Sequence, residues 1–162
     1  MKRVLCLLVI IMATITAMAQ RGQDFASRFM QECKNDSAVS CITVSPKMME
    51  QLMAMEGNNR NDSLMQAIAK LKSMRIVQAD KSGENYYPQA EALLKKNAKR
   101  FEHVKNFRTE RAEGFFYQRK KGDDKVVELV MVCLSRTDNR YVLINLTGDI
   151  DEEFVEILSR MY

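Results

Sequence analysis

Hydrophobic residues follow two spacings along the chain, which predict mostly helices in the first two thirds and strands in the last third. Asp24 precedes Phe25 and Phe29, whose spacing places them on one face of a short helix. The pair Ser45 and Pro46 is typical of a second helix start. Serine caps the first turn there, and proline at the first helical position needs no partner for an N–H group.

Two further helices and six strands follow from the same reasoning. Leu64, Ile68 and Leu71 are predicted to share one face of a third helix. Pro88 is expected to start the longest helix, whose apolar side includes Leu94. Alternating or β-branched segments between turn residues predict the strands. These are 39–44, 74–79, 104–109, 115–119, 126–134 and 141–147.

The order of these elements indicates the fold class. Segment 126–134 is apolar at almost every position, which is typical of a central strand covered on both faces. Gly148 is expected to end the last strand, and Asp149 to cap a final helix. Helices followed by an antiparallel meander indicate an α+β fold. We expect a mostly antiparallel sheet with the helices packed mainly on one face.

The first residues carry the three parts of a secretory signal peptide. Two basic residues open the chain, an apolar run over 4–15 follows, and small residues end at Ala19. The apolar run is shorter than the roughly 20 residues that a membrane-spanning helix needs. We therefore expect an exported protein in which 1–19 are removed, Gln20 becomes the first residue, and 20–162 form a single α+β domain.

The net charge limits which classes of partner the sequence predicts. The formal net charge of +4 at pH 7 is too small to indicate nucleic acid or a membrane by itself. Nucleic acid is also not expected outside the cytoplasm.

The cysteines beyond the leader are Cys33, Cys41 and Cys133. Export permits at most one disulfide among these three. The alternative is that all three are buried free thiols, and the sequence leaves both open.

Candidate catalytic and metal-binding residues are sparse. His103 is the only histidine, so a Ser-His or Cys-His arrangement would need it. Its predicted place at the end of the longest helix favours a structural role. The acidic residues over 149–156 lack calcium-loop spacing and suit the first turn of a helix. Met48, Met49, Met53 and Met55 contain soft sulfur ligands for Cu(I), but their spacing favours core packing. We expect no cofactor and no metal.

A basic cluster lies along the longest predicted helix. Lys95, Lys96, Lys99 and Arg100 occupy its polar side. A solvated helix face explains most of this pattern, with Glu91 and Lys95 as an i,i+4 pair. The alternative is a face for an anionic partner, such as lipid headgroups, an envelope polysaccharide or an acidic protein surface.

A second candidate surface lies on the predicted sheet. If the helices cover mainly one face, the other face of segment 126–134 stays open. Phe115, Tyr117, Tyr141 and Leu143 would extend such a face, and aromatic residues are enriched at protein interfaces. We predict a partly exposed apolar patch there that binds a ligand or forms a homodimer. The alternative is that helices cover both faces and bury these side chains.

The segment YVLINLTGDID over 141–151 resembles a known family. A hydrophobic strand, a glycine, and Ile-Asp before a terminal helix are similar to the end of small exported bacterial proteins grouped as domain of unknown function 4252. The strands 74–79 and 126–134 and the signal peptide also fit its layout. The resemblance implies a Gram-negative envelope protein, in the periplasm or at the outer envelope. It implies no catalytic residues.

The same resemblance gives meaning to two short motifs. Ser37 and Ser63 each follow an aspartate and precede an apolar residue, which is similar to the O-glycosylation sequence of exported proteins in the bacteria that carry this family. Turn formation and helix capping are the alternative roles of these serines.

These observations favour a non-enzymatic envelope protein that acts as a binding or interaction module. Two alternatives stay open. One is a small hydrolase-like envelope enzyme with an unrecognised site. The other, which rests on the family resemblance alone, is an accessory factor in envelope stress signalling.

Overall fold

The computed structural model describes residues 23–55, 62–122 and 125–155. The predicted signal peptide and its cleavage site at Ala19 and Gln20 therefore lie outside the described residues. The elements are α1 (Phe25–Glu32), β1 (Ser40–Val44), α2 (Pro46–Met55), α3 (Asp62–Ala69), β2 (Leu71–Ala79), α4 (Gly83–Lys96), β3 (Glu102–Arg108), β4 (Ala112–Lys121), β5 (Lys125–Ser135) and β6 (Tyr141–Ile150). A further helical segment occupies 152–155.

The six strands form one sheet in the order β1-β2-β6-β5-β4-β3, and every neighbouring pair is antiparallel. Helix α4 carries the chain from β2 to the far edge at β3. The meander from β3 to β6 then returns to β2. The predicted α+β class, with a mostly antiparallel sheet that ends in a meander, is confirmed.

Hydrophobic side chains cover both faces of this sheet. On the first face, α1 and α4 pack over a cluster that includes Val130 and Val132 of β5. On the second face, Met49 of α2, Ile68 of α3 and the 152–155 segment pack over a cluster that includes Leu129 and Met131. The expectation that helices lie mainly on one face is therefore wrong. The two-sided apolar pattern of β5 is satisfied within the chain by helices on both sides.

The start of α4 differs from the sequence prediction. The helix begins at Gly83, so Pro88 lies inside it. Asn139, in the turn between β5 and β6, caps the N-terminus of this helix. Its carbonyl oxygen accepts from Gly83 N at 2.9 Å, and its Oδ1 accepts from Glu84 N at 3.0 Å. A cap that is distant in sequence thus adds a turn and a half before the proline.

Strands β2 and β6 are also longer than predicted. Leu71 is the first residue of β2 and not the end of a helix, and it pairs with Gly148 inside β6. Gly148 has a φ of 147°, and a Cβ atom there would lie 2.6 Å from the Lys70 carbonyl oxygen. This glycine therefore permits a close approach between strands and does not end β6. Asp149 lies within β6 and pairs with Lys125 at 2.8 Å, so it does not cap the final helix.

Within the ranges that the structure describes, no helix is long and apolar enough to cross a membrane.

Candidate functional site

The N-terminus of α1 points into the sheet and is held by three side-chain acceptors. Asp24 Oδ1 accepts from Ser27 N at 2.8 Å, as an N-cap. Glu128 Oε1 of β5 accepts from Phe25 N at 2.6 Å, and Asn145 Oδ1 of β6 accepts from Ala26 N at 2.7 Å. The first-turn N–H groups of a helix have no partner within the helix. Here Asp24 supplies one of those partners, and the sheet supplies two.

Glu128 joins this cap to an arginine. Its side chain is fully buried, and its second oxygen, Oε2, accepts from Arg119 Nε at 2.7 Å. The Arg119 side chain keeps 27% of its surface exposed. A buried carboxylate needs both a counter-charge and hydrogen bonds to be tolerated. Arg119 and the α1 backbone provide both.

Two more arginines converge on the same region. Arg28 of α1 donates through Nη1 to Asn97 Oδ1 at 2.9 Å, at the end of α4. Arg100 donates through Nη2 to the Gln23 carbonyl oxygen at 2.6 Å. Its guanidinium carbon also lies 5.6 Å from the centre of the Phe101 ring. Arg28, Arg100 and Arg119 are all partly exposed, and we call them the arginine cluster.

The electrostatics of Arg100 show that these groups influence one another. Burial lowers the pKa of the Arg100 guanidinium most, the positive charge of Arg119 lowers it further, and Arg28 adds to the effect. Glu128 and Asp24 act in the opposite direction. An additional anion beside the three guanidinium groups would reduce their mutual repulsion.

Arg75 of β2 extends the positive region on the other flank of the α1 N-terminus. Its Nε lies 3.3 Å from Asp24 Oδ2, and its Nη1 contacts Ser27 Oγ. Arg75 is therefore engaged with the α1 cap itself. The arginine cluster is the part of this region that faces the end of α4.

The arrangement can bind anionic groups. A guanidinium presents a planar fork of N–H donors that matches carboxylate, phosphate or sulfate oxygens, and each arginine has five such donors. Lys96 and Lys99 lie exposed just outside the cluster, at the end of α4 and in the turn that follows it. The site therefore combines three part-buried guanidinium groups with two exposed ammonium groups.

The structure places the four residues of the predicted basic face in different environments. These residues are Lys95, Lys96, Lys99 and Arg100. Lys95 forms an ion pair with Glu91 at 2.7 Å, as the sequence spacing indicated. Lys96 and Lys99 are exposed, and Arg100 is part-buried beneath them. Sequence reasoning missed Arg28 and Arg119. Arg28 is the one cation of α1, and Arg119 precedes Lys120 and Lys121 in β4. No local pattern connects either arginine to the end of α4.

The predicted interaction face is wrong. Phe115, Tyr117, Tyr141 and Leu143 are all buried within the chain, with exposed fractions of 6% or less. They lie on the first face, beneath α1 and α4. Phe29 of α1, for example, stacks on Tyr141 with ring centres 5.5 Å apart. These side chains form core and cannot contact a partner.

Two open pockets lie elsewhere on the surface. One, of about 280 Å³, lies between α4 and the β3-β4 hairpin and is lined by Tyr87, Glu91, Glu113 and their neighbours. Burial, followed by the charges of Glu113 and Glu91, raises the pKa of Tyr87 to about 12. The other, of about 400 Å³, lies at the end of α1, where Tyr86 donates to Asp36 Oδ2 at 2.6 Å.

The two predicted modification sites occupy different environments. Ser37 is exposed in the turn after α1 and lines the larger pocket. Ser63 is the second residue of α3, and its side chain lies outside the described part. Glycosylation of both remains a prediction.

The other candidate reactive side chains are three cysteines and one histidine. Cys33 is buried, Cys133 half-buried and Cys41 exposed, and all three are free thiols. His103 lies in β3 and not at a helix end. Its Nε2 is 2.8 Å from Asn106 Oδ1, and its ring contacts Tyr117 edge-on. Among the described residues, no three His, Cys, Asp or Glu side chains form a group that could hold a metal ion.

Comparison with known protein families gives a match. A family model described as Domain of unknown function (DUF4252) matches residues 31–158, which includes nearly all the elements above. No curated protein matches the chain.

Proposed function

The chain belongs to the Domain of unknown function (DUF4252) family, and we propose that it is an exported envelope protein that binds an anionic partner without catalysing a reaction. Export is supported by the basic start, the short apolar run and the small residues before Gln20. The binding role is supported by the arginine cluster. The partner it fits is an envelope surface that carries phosphate or carboxylate groups.

The observation that carries the proposal is the position of three guanidinium groups around the end of α4. Arg28, Arg100 and Arg119 are each held by a contact within the chain, at 2.6–2.9 Å. A guanidinium group is a planar fork of five N–H donors. The internal contacts hold the forks in place, so little side-chain entropy is lost when an anion binds.

Lys96 and Lys99 are suited to the long-range attraction of an anionic surface. Their exposed ammonium groups act over roughly a Debye length, about 8 Å at physiological salt. They would attract an anionic surface, while the arginine forks would fix an individual headgroup. This division predicts that Lys96 and Lys99 control the salt dependence of binding and that the arginine cluster controls which anionic group is bound.

The binding proposal is tested with charge-matched variants of the mature chain. Lys96→Glu with Lys99→Glu should weaken binding to phosphatidylglycerol-containing vesicles at least tenfold at low salt. The control, Lys47→Glu with Lys81→Glu, changes net charge equally at exposed positions away from the cluster. It should cause a much smaller loss. Binding to an anionic polysaccharide, measured in a separate assay, distinguishes a polysaccharide partner from a lipid surface. Equal losses from both pairs would refute a localised site.

Export is tested separately. Intact mass measurement of protein from an envelope fraction should give a chain that begins at Gln20. A full-length chain confined to the cytoplasm would contradict the proposal, whatever the vesicle experiment shows.

A further inference from the structure

The two edges of the sheet differ in how they are protected against pairing with another strand. Edge strand β3 contains Glu102, Lys105 and Arg108, and its register shifts between His103 and Lys105. Charged residues and bulges are the usual means by which edge strands avoid pairing. Edge strand β1 has the sequence SCITV, without a charge or proline, and its register with β2 is continuous over all five residues.

The β1 edge is also open. Ser40, Cys41, Ile42 and Thr43 are all exposed, and Ile42 has 49% of its surface accessible. Ile42 and Met48 are the exposed large hydrophobic residues among those that the structure describes. An edge strand carries unpaired N–H and C=O groups along its outer side. β1 therefore presents backbone donors and acceptors together with an apolar side chain.

Ile42 is the outer end of an apolar row that crosses the sheet on its second face. It pairs with Ile76 of β2, which pairs with Ile144 of β6, which pairs with Met131 of β5. Ile76 and Ile144 are half-buried. Cross-strand apolar pairs stabilise a sheet. Among the strands that the structure describes, the row ends at Ile42, because β1 is the edge of the sheet.

We infer that β1 pairs antiparallel with β1 of a second copy of the chain, about a two-fold axis at Ile42. Residues that face each other across a sheet must point to the same face, and this axis satisfies that requirement. Ile42 then faces its symmetry mate, and Cys41 faces Thr43 of the second copy. The two six-stranded sheets become one continuous sheet, and the isoleucine row continues across the junction.

A second copy fits this edge because of its charge and symmetry. An isologous interface brings each residue close to its own symmetry mate, so a charged strand would oppose like charges. β1 has none. A five-residue strand buries less area than the interface of a stable dimer, which has about 1,200–2,000 Å² in total. We therefore expect a weak dimer, with a dissociation constant in the micromolar range.

The association is tested by sedimentation velocity of the mature chain over a wide concentration range. Wild type should shift from monomer to dimer as concentration rises. Ile42→Lys should remain monomeric, because it places two like charges at the axis. Met48→Lys is the matched control, since Met48 is equally exposed at 47% but lies in α2, and it should dimerise like wild type.

The register is tested by disulfide formation in a Cys41→Ser, Ile42→Cys variant under mild oxidation. Facing residues in antiparallel strands have Cα atoms about 4.5–5.5 Å apart, which a disulfide can span. The introduced thiol should give a covalent dimer that dithiothreitol reverses. A wild type that stays monomeric, or an Ile42→Lys variant that still dimerises, overturns the inference. A covalent dimer through Cys41 in wild type, but none through position 42 in the variant, overturns the axis at Ile42.

Discussion

Removal of the Glu128 side chain should destabilise this fold through two buried interactions. Its carboxylate is fully buried, accepts from Phe25 N at 2.6 Å and pairs with Arg119 at 2.7 Å. Glu128→Leu keeps a similar volume and removes both interactions. Phe25 then has a buried N–H group without an acceptor, and the Arg119 guanidinium loses its counter-charge.

The expected magnitude follows from these two losses. An unsatisfied buried donor costs about 1–3 kcal/mol, and removing one partner of a buried ion pair costs about 3–5 kcal/mol. Arg119 keeps 27% of its side chain exposed, so water recovers part of its interaction energy. We expect Glu128→Leu to lower the free energy of unfolding by about 3 kcal/mol, at the low end of the ion-pair range. Glu128→Gln retains an acceptor for Phe25 N and should lose about 1–2 kcal/mol.

Urea denaturation at neutral pH, followed by far-ultraviolet circular dichroism, measures these differences. A double-mutant cycle with Arg119→Leu separates the ion pair from the helix cap. Because Arg119→Leu removes the unpaired guanidinium, the double variant should be more stable than the sum of the single losses predicts, by about 1–2 kcal/mol. Hydrogen exchange should show faster opening at the amides of Phe25 and Ala26 in both Glu128 variants.

The reasoning would be refuted by a loss below about 1 kcal/mol for Glu128→Leu, which is less than one unsatisfied buried group costs. Strictly additive losses in the cycle would show that Arg119 and Glu128 do not interact in the folded protein. Unchanged exchange at the first turn of α1 would show that the sheet does not anchor that helix.

Two further changes have defined outcomes. Gly148→Ala should cost about 2 kcal/mol or more in urea denaturation, because φ is 147° and the new Cβ would lie 2.6 Å from the Lys70 carbonyl oxygen. Gly122→Ala, at φ 62° with open space around it, should cost only about 1 kcal/mol, and equal costs would exclude the close contact as the cause. The pKa of Tyr87 is raised from 10.0 to about 12, so the stability that this group contributes is complete below pH 10 and is lost as pH rises through 12. Tyr87→Phe should therefore show a smaller fall in urea midpoint over that interval than wild type, and parallel falls would contradict the raised pKa.

Local patterns in the sequence were sufficient for the individual elements. Asp24 caps α1, Pro46 begins α2, and β5 is a central strand, each as its own residues indicate. The period of apolar residues depends only on neighbours a few positions away. The same holds for the i,i+4 pair of Glu91 and Lys95. Element type and the α+β class could therefore be predicted from the sequence.

Contacts between residues distant in sequence decided the rest. Asn139 adds a turn and a half to α4 across 55 positions, and Glu128 caps α1 across 103. Neither contact leaves a periodic signal, because each acceptor lies on a different element from its donor. The arginine cluster depends on contacts of the same kind, because Asn97 holds Arg28 and Glu128 holds Arg119.

The apolar pattern of β5 shows most directly what the sequence by itself determined. Its two-sided hydrophobicity required that both faces be covered, but not by what. The tertiary structure placed α1 and α4 on one face and α2, α3 and the 152–155 segment on the other. Phe115, Tyr117, Tyr141 and Leu143 consequently became core. Hydrophobic burial has no direction, so only the path of the chain decides which side chains cover a given face.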